Sequence, residues 1–137
     1  MTSELSVADR NREIVRKVYE VADSGALEEL GRYLSDDYTL TRAAGGPVPG
    51  QWKGAEAGAA LGQLFAMAGH GSVIVREIVA DGPHRVVGLV DVHGVNPAGE
   101  SWTMPVAELF WVEDGKVTDI RPYYWDLVEF RRIAGMD

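Results

Sequence analysis

The first stretch with a clear period is Val7 to Ala22. Its apolar positions Val7, Ile14, Val15, Val18, Val21 and Ala22 recur at helical spacing with charges between them. Ser6 is placed to cap this helix, and Asp9 falls in the first turn, where a carboxylate suits the helix dipole. Asp23-Ser24-Gly25 breaks the pattern, and a shorter helix is predicted from Ala26 to Leu34 with Leu27, Leu30 and Leu34 on one side. Tyr38 to Arg42 reads as a short strand, and Ala43 to Gln51, rich in glycine and proline, as a loop. Lys53 to Ala68 is alanine-rich and helical, ended by Gly69 and Gly71. Beyond it the period changes to two. Strands are predicted over Ser72–Ala80, Arg85–His93, Ser101–Glu113 and Lys116–Trp125, joined by hairpin-type turns such as Glu113-Asp114-Gly115. Leu127 to Ile133 forms a last helical turn.

This order, three helices around one short strand and then a four-strand meander, predicts an α+β domain covering the whole chain, 1–137. A strongly bent antiparallel sheet with N-terminal helices on its concave side encloses a cone, and inside it one apolar pocket. Ser101–Glu113 reads apolar on both faces: Trp102, Met104, Val106 and Phe110 on one, Pro105, Ala107, Leu109 and Trp111 on the other. The second face needs cover, and a homodimer packed sheet to sheet would supply it.

Composition narrows the chemistry. The chain has 137 residues, 46% apolar, and no cysteine, which excludes disulfides, zinc-thiolate sites and cysteine nucleophiles. The net charge of −8 disfavours nucleic-acid and anionic-membrane partners. Apolar runs stop well short of the ~20 residues of a membrane span. The polar start, MTSELSVADRNRE, carries no leader-like stretch, so a cytoplasmic protein is expected. His70, His84 and His93 lack metal-ligand spacing, and no phosphate loop, dinucleotide fingerprint or Gly-x-Ser-x-Gly occurs. No metal and no cofactor are expected.

Several polar groups interrupt these apolar faces. Asp91 shares a strand face with Leu89 and His93; a carboxylate there needs a partner or a raised pKa, unless it is a strand-end acid in solvent. Glu108 interrupts the face of Met104, Val106 and Phe110, as a catalytic acid or as an ion-paired glutamate closing the narrow end of the cone. Arg42 sits with Tyr38 and Leu40; it could pair with either acid, clamp a carboxylate or enolate, or stand exposed at the loop start. The pocket wall is expected from Tyr38, Leu40, Trp52, Phe65, Leu89, His93, Met104, Val106, Phe110, Ile120 and Tyr124.

The element order, the run Asp23-Ser24-Gly25-Ala26-Leu27, Asp36-Asp37, Gly54, and the ending from Glu113-Asp114-Gly115-Lys116-Val117 through Tyr124-Trp125-Asp126 resemble the nuclear transport factor two superfamily. The nearest resemblance is to its SnoaL-like polyketide cyclases, ketosteroid isomerases and limonene-type epoxide hydrolases. This implies a cystatin-like α+β barrel acting without a cofactor on a hydrophobic small molecule. It also implies that Glu108 matches the isomerases' oxyanion-donating acid, whereas Arg42 stands where they keep a basic aspartate and Leu89 where the hydrolases keep an arginine. Val18, not Tyr19, matches the isomerases' tyrosine, so Tyr19 is expected to point elsewhere. Asp126 matches a capping aspartate. The leading expectation is an acid–base cyclase, isomerase or dehydratase in which Asp91 exchanges the proton and Glu108 or Arg42 stabilises the developing charge. Epoxide opening and non-catalytic binding or assembly are the alternatives.

Overall fold

A computed structural model describes residues 6–136; residues 1–5, within the polar start, and residue 137 lie outside the described residues. Helix α1 spans Val7–Ser24, with Ser6 Oγ accepting the Asp9 N–H at 3.0 Å and Gly25 closing it at φ 79°. A 3-10 helix, Leu27–Arg32, follows in place of the predicted α-helix. Its N-cap, Ala26, makes no side-chain cap hydrogen bond, and Gly31 lies within it, so little favours a longer α-helix. The remaining elements are β1 (Leu34–Arg42), β2 (Gly50–Lys53), α2 (Ala55–Ala68), β3 (His70–Asp81), β4 (Arg85–Val95), β5 (Ser101–Glu113), β6 (Lys116–Tyr124) and α3 (Leu127–Ile133).

The six strands form one curved sheet in the order β2-β1-β6-β5-β4-β3. Every pairing is antiparallel except β1 with β6, which is parallel. Strand β2 corrects the predicted loop: Gly50 to Lys53 pair with Arg42 to Thr39. Four residues are too short to show an alternation, so pattern alone does not mark them. Lys53 therefore belongs to a strand, and α2 starts after Gly54. That glycine turns the chain at φ 58°, and a Cβ there would lie 2.9 Å from the Asp36 carbonyl oxygen. Strand β1 begins at Leu34, earlier than predicted, and its register shifts between Leu34 and Thr39, around exposed Asp36 and Asp37.

The inner sheet face supplies Leu40, Val86, Val90, Met104, Val106, Phe110 and Ile120 to the core. Helix α1 adds Val15, Val18 and Tyr19, and α2 adds Ala57, Ala60, Leu64 and Ala68. Helix α3 closes one end: Phe130 stacks on Tyr124 at 4.4 Å and meets Trp102 edge-on at 5.7 Å. The Trp102 indole N–H donates to the Ala68 carbonyl at 2.7 Å, tying the end of α2 to β5. No helix among the described residues is long and apolar enough to cross a membrane.

Candidate functional site

Between the sheet, α1, α2 and α3 lies a largely apolar cavity of about 90 Å³. Its wall carries five polar or ionisable side chains: Tyr19, Arg42, His70, Glu108 and Tyr124. Arg42 ends β1 on the inner face beside Leu40 and is only 4% exposed. The loop after β1 folds back over its guanidinium. The Pro47 carbonyl accepts from Nε (3.2 Å) and Nη2 (3.1 Å), and the Val48 carbonyl accepts from Nε (3.2 Å). From β6, the Tyr124 hydroxyl accepts from Nη1 at 2.7 Å, beneath the stack with Phe130. No carboxylate among the described residues forms an ion pair with Arg42.

Glu108 sits mid-way along β5, opposite Gly88 of β4 and Pro122 of β6. It is half-buried and lines the cavity. Burial pushes its carboxyl pKa up, against the opposing effects of the Tyr19 hydroxyl and the Arg42 charge. Gly88 is what lets Tyr19 reach this level: a Cβ there would lie 2.1 Å from the Tyr19 hydroxyl oxygen. That hydroxyl has no hydrogen bond of regular geometry among the described residues, yet it faces Glu108 closely enough for each to perturb the other. Burial and the adjacent carboxyl raise the Tyr19 pKa well above its usual value. Tyr124 is also raised by burial, with Arg42 opposing.

His70, at the start of β3, stacks on Phe65 at 4.2 Å and meets Trp102 at 6.3 Å. Burial lowers its pKa to about 4, and its buried Nδ1 has no hydrogen-bond partner among the described residues. It is a neutral imidazole at neutral pH.

The predicted site residues divide by face. Leu40, Arg42, Phe65, Met104, Val106, Glu108, Phe110, Ile120 and Tyr124 do line the cavity. Leu89, Asp91 and His93 do not. Val90 and Val92 point inward, so these three lie on the outer sheet face. There Asp91 pairs with Arg76 of β3 (Nε 2.7 Å, Nη2 2.5 Å), and His93 Nδ1 meets Thr103 Oγ1 at 2.8 Å. In a strand apolar on both faces, alternation alone does not say which parity faces in. Gly88 and Gly94 decide it, because the spaces over them are filled by Tyr19 and Trp102. Tyr38 is buried but borders a separate cleft beside Gly54 and Leu61, and half-buried Trp52 on β2 packs against the flank of the core. Asp126 caps α3, its Oδ1 accepting the Glu129 N–H at 3.0 Å.

Residues 15–120 match the family model of the SnoaL-like domain. The chain belongs to the SnoaL-like family. This family is part of the nuclear transport factor two superfamily. Bal32a, from a soil-derived mobile gene cassette, superposes with a TM-score of 0.84 at 21% identity, over 93% of this chain and 98% of its own. TerC, solved with polyporic acid, gives 0.83 at 20% identity, over 92% and 98%. A Xanthomonas campestris protein classed among the polyketide cyclases gives 0.74 at 25% identity, over 94% and 99%. No curated protein matches the chain.

Within this SnoaL-like cone, Tyr19 corrects the expectation that it points elsewhere. Val15, Val18, Tyr19 and Ala22 follow the i, i+3, i+4, i+7 spacing of one helix face, wide enough for both Val18 and Tyr19 to line the cavity. Its sequence signal was Gly88, a glycine inside an apolar strand. His70 and Phe130 lie far apart in sequence, and only the start of β3 and the docking of α3 bring them to the same wall.

Proposed function

We propose that this SnoaL-like chain is a cofactor-independent acid–base enzyme acting on a compact hydrophobic molecule. The observation that carries the reading is Glu108: a carboxyl held in a mainly apolar cavity, its pKa raised by burial, beside a tyrosine hydroxyl and across from a buried guanidinium. In this reading Glu108 replaces Asp91 as the proton-exchanging group. Negative charge developing on a substrate oxygen is met by the Arg42–Tyr124 pair and the Tyr19 hydroxyl. The apolar wall of Leu40, Phe65, Met104, Val106, Phe110 and Ile120 holds the carbon skeleton. Cyclisation, isomerisation and dehydration of a polyketide- or terpenoid-like carbonyl compound all need such a proton step. The neighbours named as a polyketide cyclase and as a complex with polyporic acid support that substrate class.

The test is deuterium uptake. Apolar carbonyl compounds are incubated with the protein in D₂O, and exchange beside the carbonyl is followed by mass spectrometry. The wild type is expected to accelerate exchange for at least one compound, and Glu108→Gln to lose on the order of 10²-fold of that acceleration. Undiminished exchange in Glu108→Gln would refute the assignment.

Epoxide opening is the second reading. With Asp91 on the outer face, Glu108 would have to activate the water, and oxygen from labelled water would appear in the product. The outer sheet face also supports a homodimer: Leu89, Tyr123 and Trp125 are exposed there at 37%, 52% and 82%. Sedimentation would show a species of twice the chain mass, reduced to the monomer by Leu89→Lys with Tyr123→Lys. A binding or assembly protein with the same pocket would hold ligand without any exchange.

A further inference from the structure

Arg42 is a cation removed from water that forms no ion pair with a carboxylate among the described residues, Glu108 acting on it only across the cavity. Burying a charge is tolerated when it is paired or densely hydrogen-bonded. Here the described residues supply neutral acceptors only: two carbonyls and one hydroxyl. The edge formed by Nε and Nη2 is spent on Pro47, and Nη1 donates once, to Tyr124. A guanidinium has five N–H donors. One N–H on each terminal nitrogen is therefore left without an acceptor among the described residues, and the side chain lines the cavity.

The seat is also held at some strain. Val48, whose carbonyl helps grip the guanidinium, has φ 49°, a left-handed conformation that a β-branched residue avoids. Such outliers persist where the surroundings over-determine them, and they cluster at ligand sites. Pro47 beside it is fully buried. The loop thus fixes the position of a positive charge that no carboxylate among the described residues contacts in an ion pair, Glu108 acting on it only across the cavity.

We infer that Arg42 is an anion seat, and that the ligand of this cavity carries a carboxylate on a slender apolar body. A carboxylate carries a full charge and two acceptor oxygens, which the spare N–H groups can meet with charge-assisted bonds. The ligand's apolar part lies along Met104 and Ile120, away from the loop. The inference rests on the cavity being the functional site, as proposed above, and it names the charge of what enters; with Arg42 holding that carboxylate, the charge developing in the proton step falls to the Tyr19 hydroxyl.

The experiment compares matched acids and amides. Butyrate, hexanoate and octanoate, and their primary amides, are titrated into the wild type by calorimetry, and the Arg42 Nε–H resonance is followed by NMR. The acids are expected to bind at least about tenfold more tightly than the amides and to shift that resonance. Arg42→Gln is expected to abolish the preference and Arg42→Lys to keep part of it. Equal binding of acid and amide, tighter binding of the amide, no binding of either, or a preference that survives in Arg42→Gln would each overturn the inference. If Arg42→Gln does not fold, the wild-type comparison and the Nε–H shift decide the matter. The two readings fail separately. Acid preference with undiminished deuterium exchange in Glu108→Gln removes the acid–base reading alone; lost exchange without acid preference removes the anion seat alone.

Discussion

Replacing Gly88 by alanine separates Tyr19 from Glu108 without altering either residue. The new methyl carbon would lie 2.1 Å from the Tyr19 hydroxyl oxygen and 2.8 Å from two ring carbons, where ordinary contact begins at 3.4 Å. The hydroxyl must therefore retreat by roughly 1.3 Å on steric grounds. It has little room, since Tyr19 is 4% exposed and its ring meets Phe110 edge-on at 5.7 Å. Overpacking of this kind costs about 1–3 kcal/mol, read as a lower urea midpoint. The electrostatic consequence is the sharper test. The Tyr19 hydroxyl lowers the Glu108 pKa, partly offsetting burial, so moving it away lets that pKa climb further. Tyr19→Phe should give the same direction without the clash. A raised carboxyl pKa means that the folded protein holds the proton more tightly than the unfolded chain. Stability is then fully present below the unfolded carboxyl value of about 4.5 and falls as pH rises through the folded one. Both variants extend that window upward. The assay is a pH titration of the Glu108 side-chain carbonyl carbon by NMR on glutamate-labelled protein. A Glu108 midpoint that is unchanged or lower in both variants would refute the coupling of these two groups.

Other perturbations probe separate parts of the fold. Asp91→Asn breaks a pair whose side chains are 16% and 63% exposed, so it should cost less than about 1 kcal/mol in urea melts and leave deuterium exchange unchanged. Burial holds the His70 pKa at about 4 against 6.5, a depressed base whose stability contribution is complete above pH 6.5 and is lost as pH falls towards 4. Between pH 7 and 4.5 the wild type should lose roughly 2–3 kcal/mol more than His70→Gln, as measured by denaturant unfolding. Phe130→Ala removes the stack on Tyr124 and should cost about 3–5 kcal/mol, with a matching drop in urea midpoint.

The cone was legible because its long elements repeat their pattern many times. Helix α1 shows a full apolar arc, and β3 to β6 are apolar-rich runs of nine or more residues each between turn residues. Strand β2 was not legible, being four residues long, and the parallel pairing of β1 with β6 leaves no local mark. The site was half legible. Arg42 and Glu108 stood out as charges among apolar neighbours, and both line the cavity. Asp91 stood out for the same reason and faces the other way. What separates it from Glu108 is strand parity, and parity is set by close approaches at Gly88 from Tyr19, far away in sequence, and at Gly94 from Trp102 on the neighbouring strand. Tyr19 was misjudged because matching one helix position to another family left out how many of its neighbours the cavity reaches.

The central claim, that ligand enters the cavity at Glu108 and Arg42 rather than the outer face around Asp91, is tested most directly by methyl NMR. The compound with the fastest deuterium exchange is titrated into methyl-labelled protein. Inner methyls of Leu40, Met104 and Ile120 and outer methyls of Ile74, Val79 and Leu89 are followed together. Shifts confined to the inner set are expected. Shifts centred on Ile74 and Leu89, with the inner set unmoved, would contradict it.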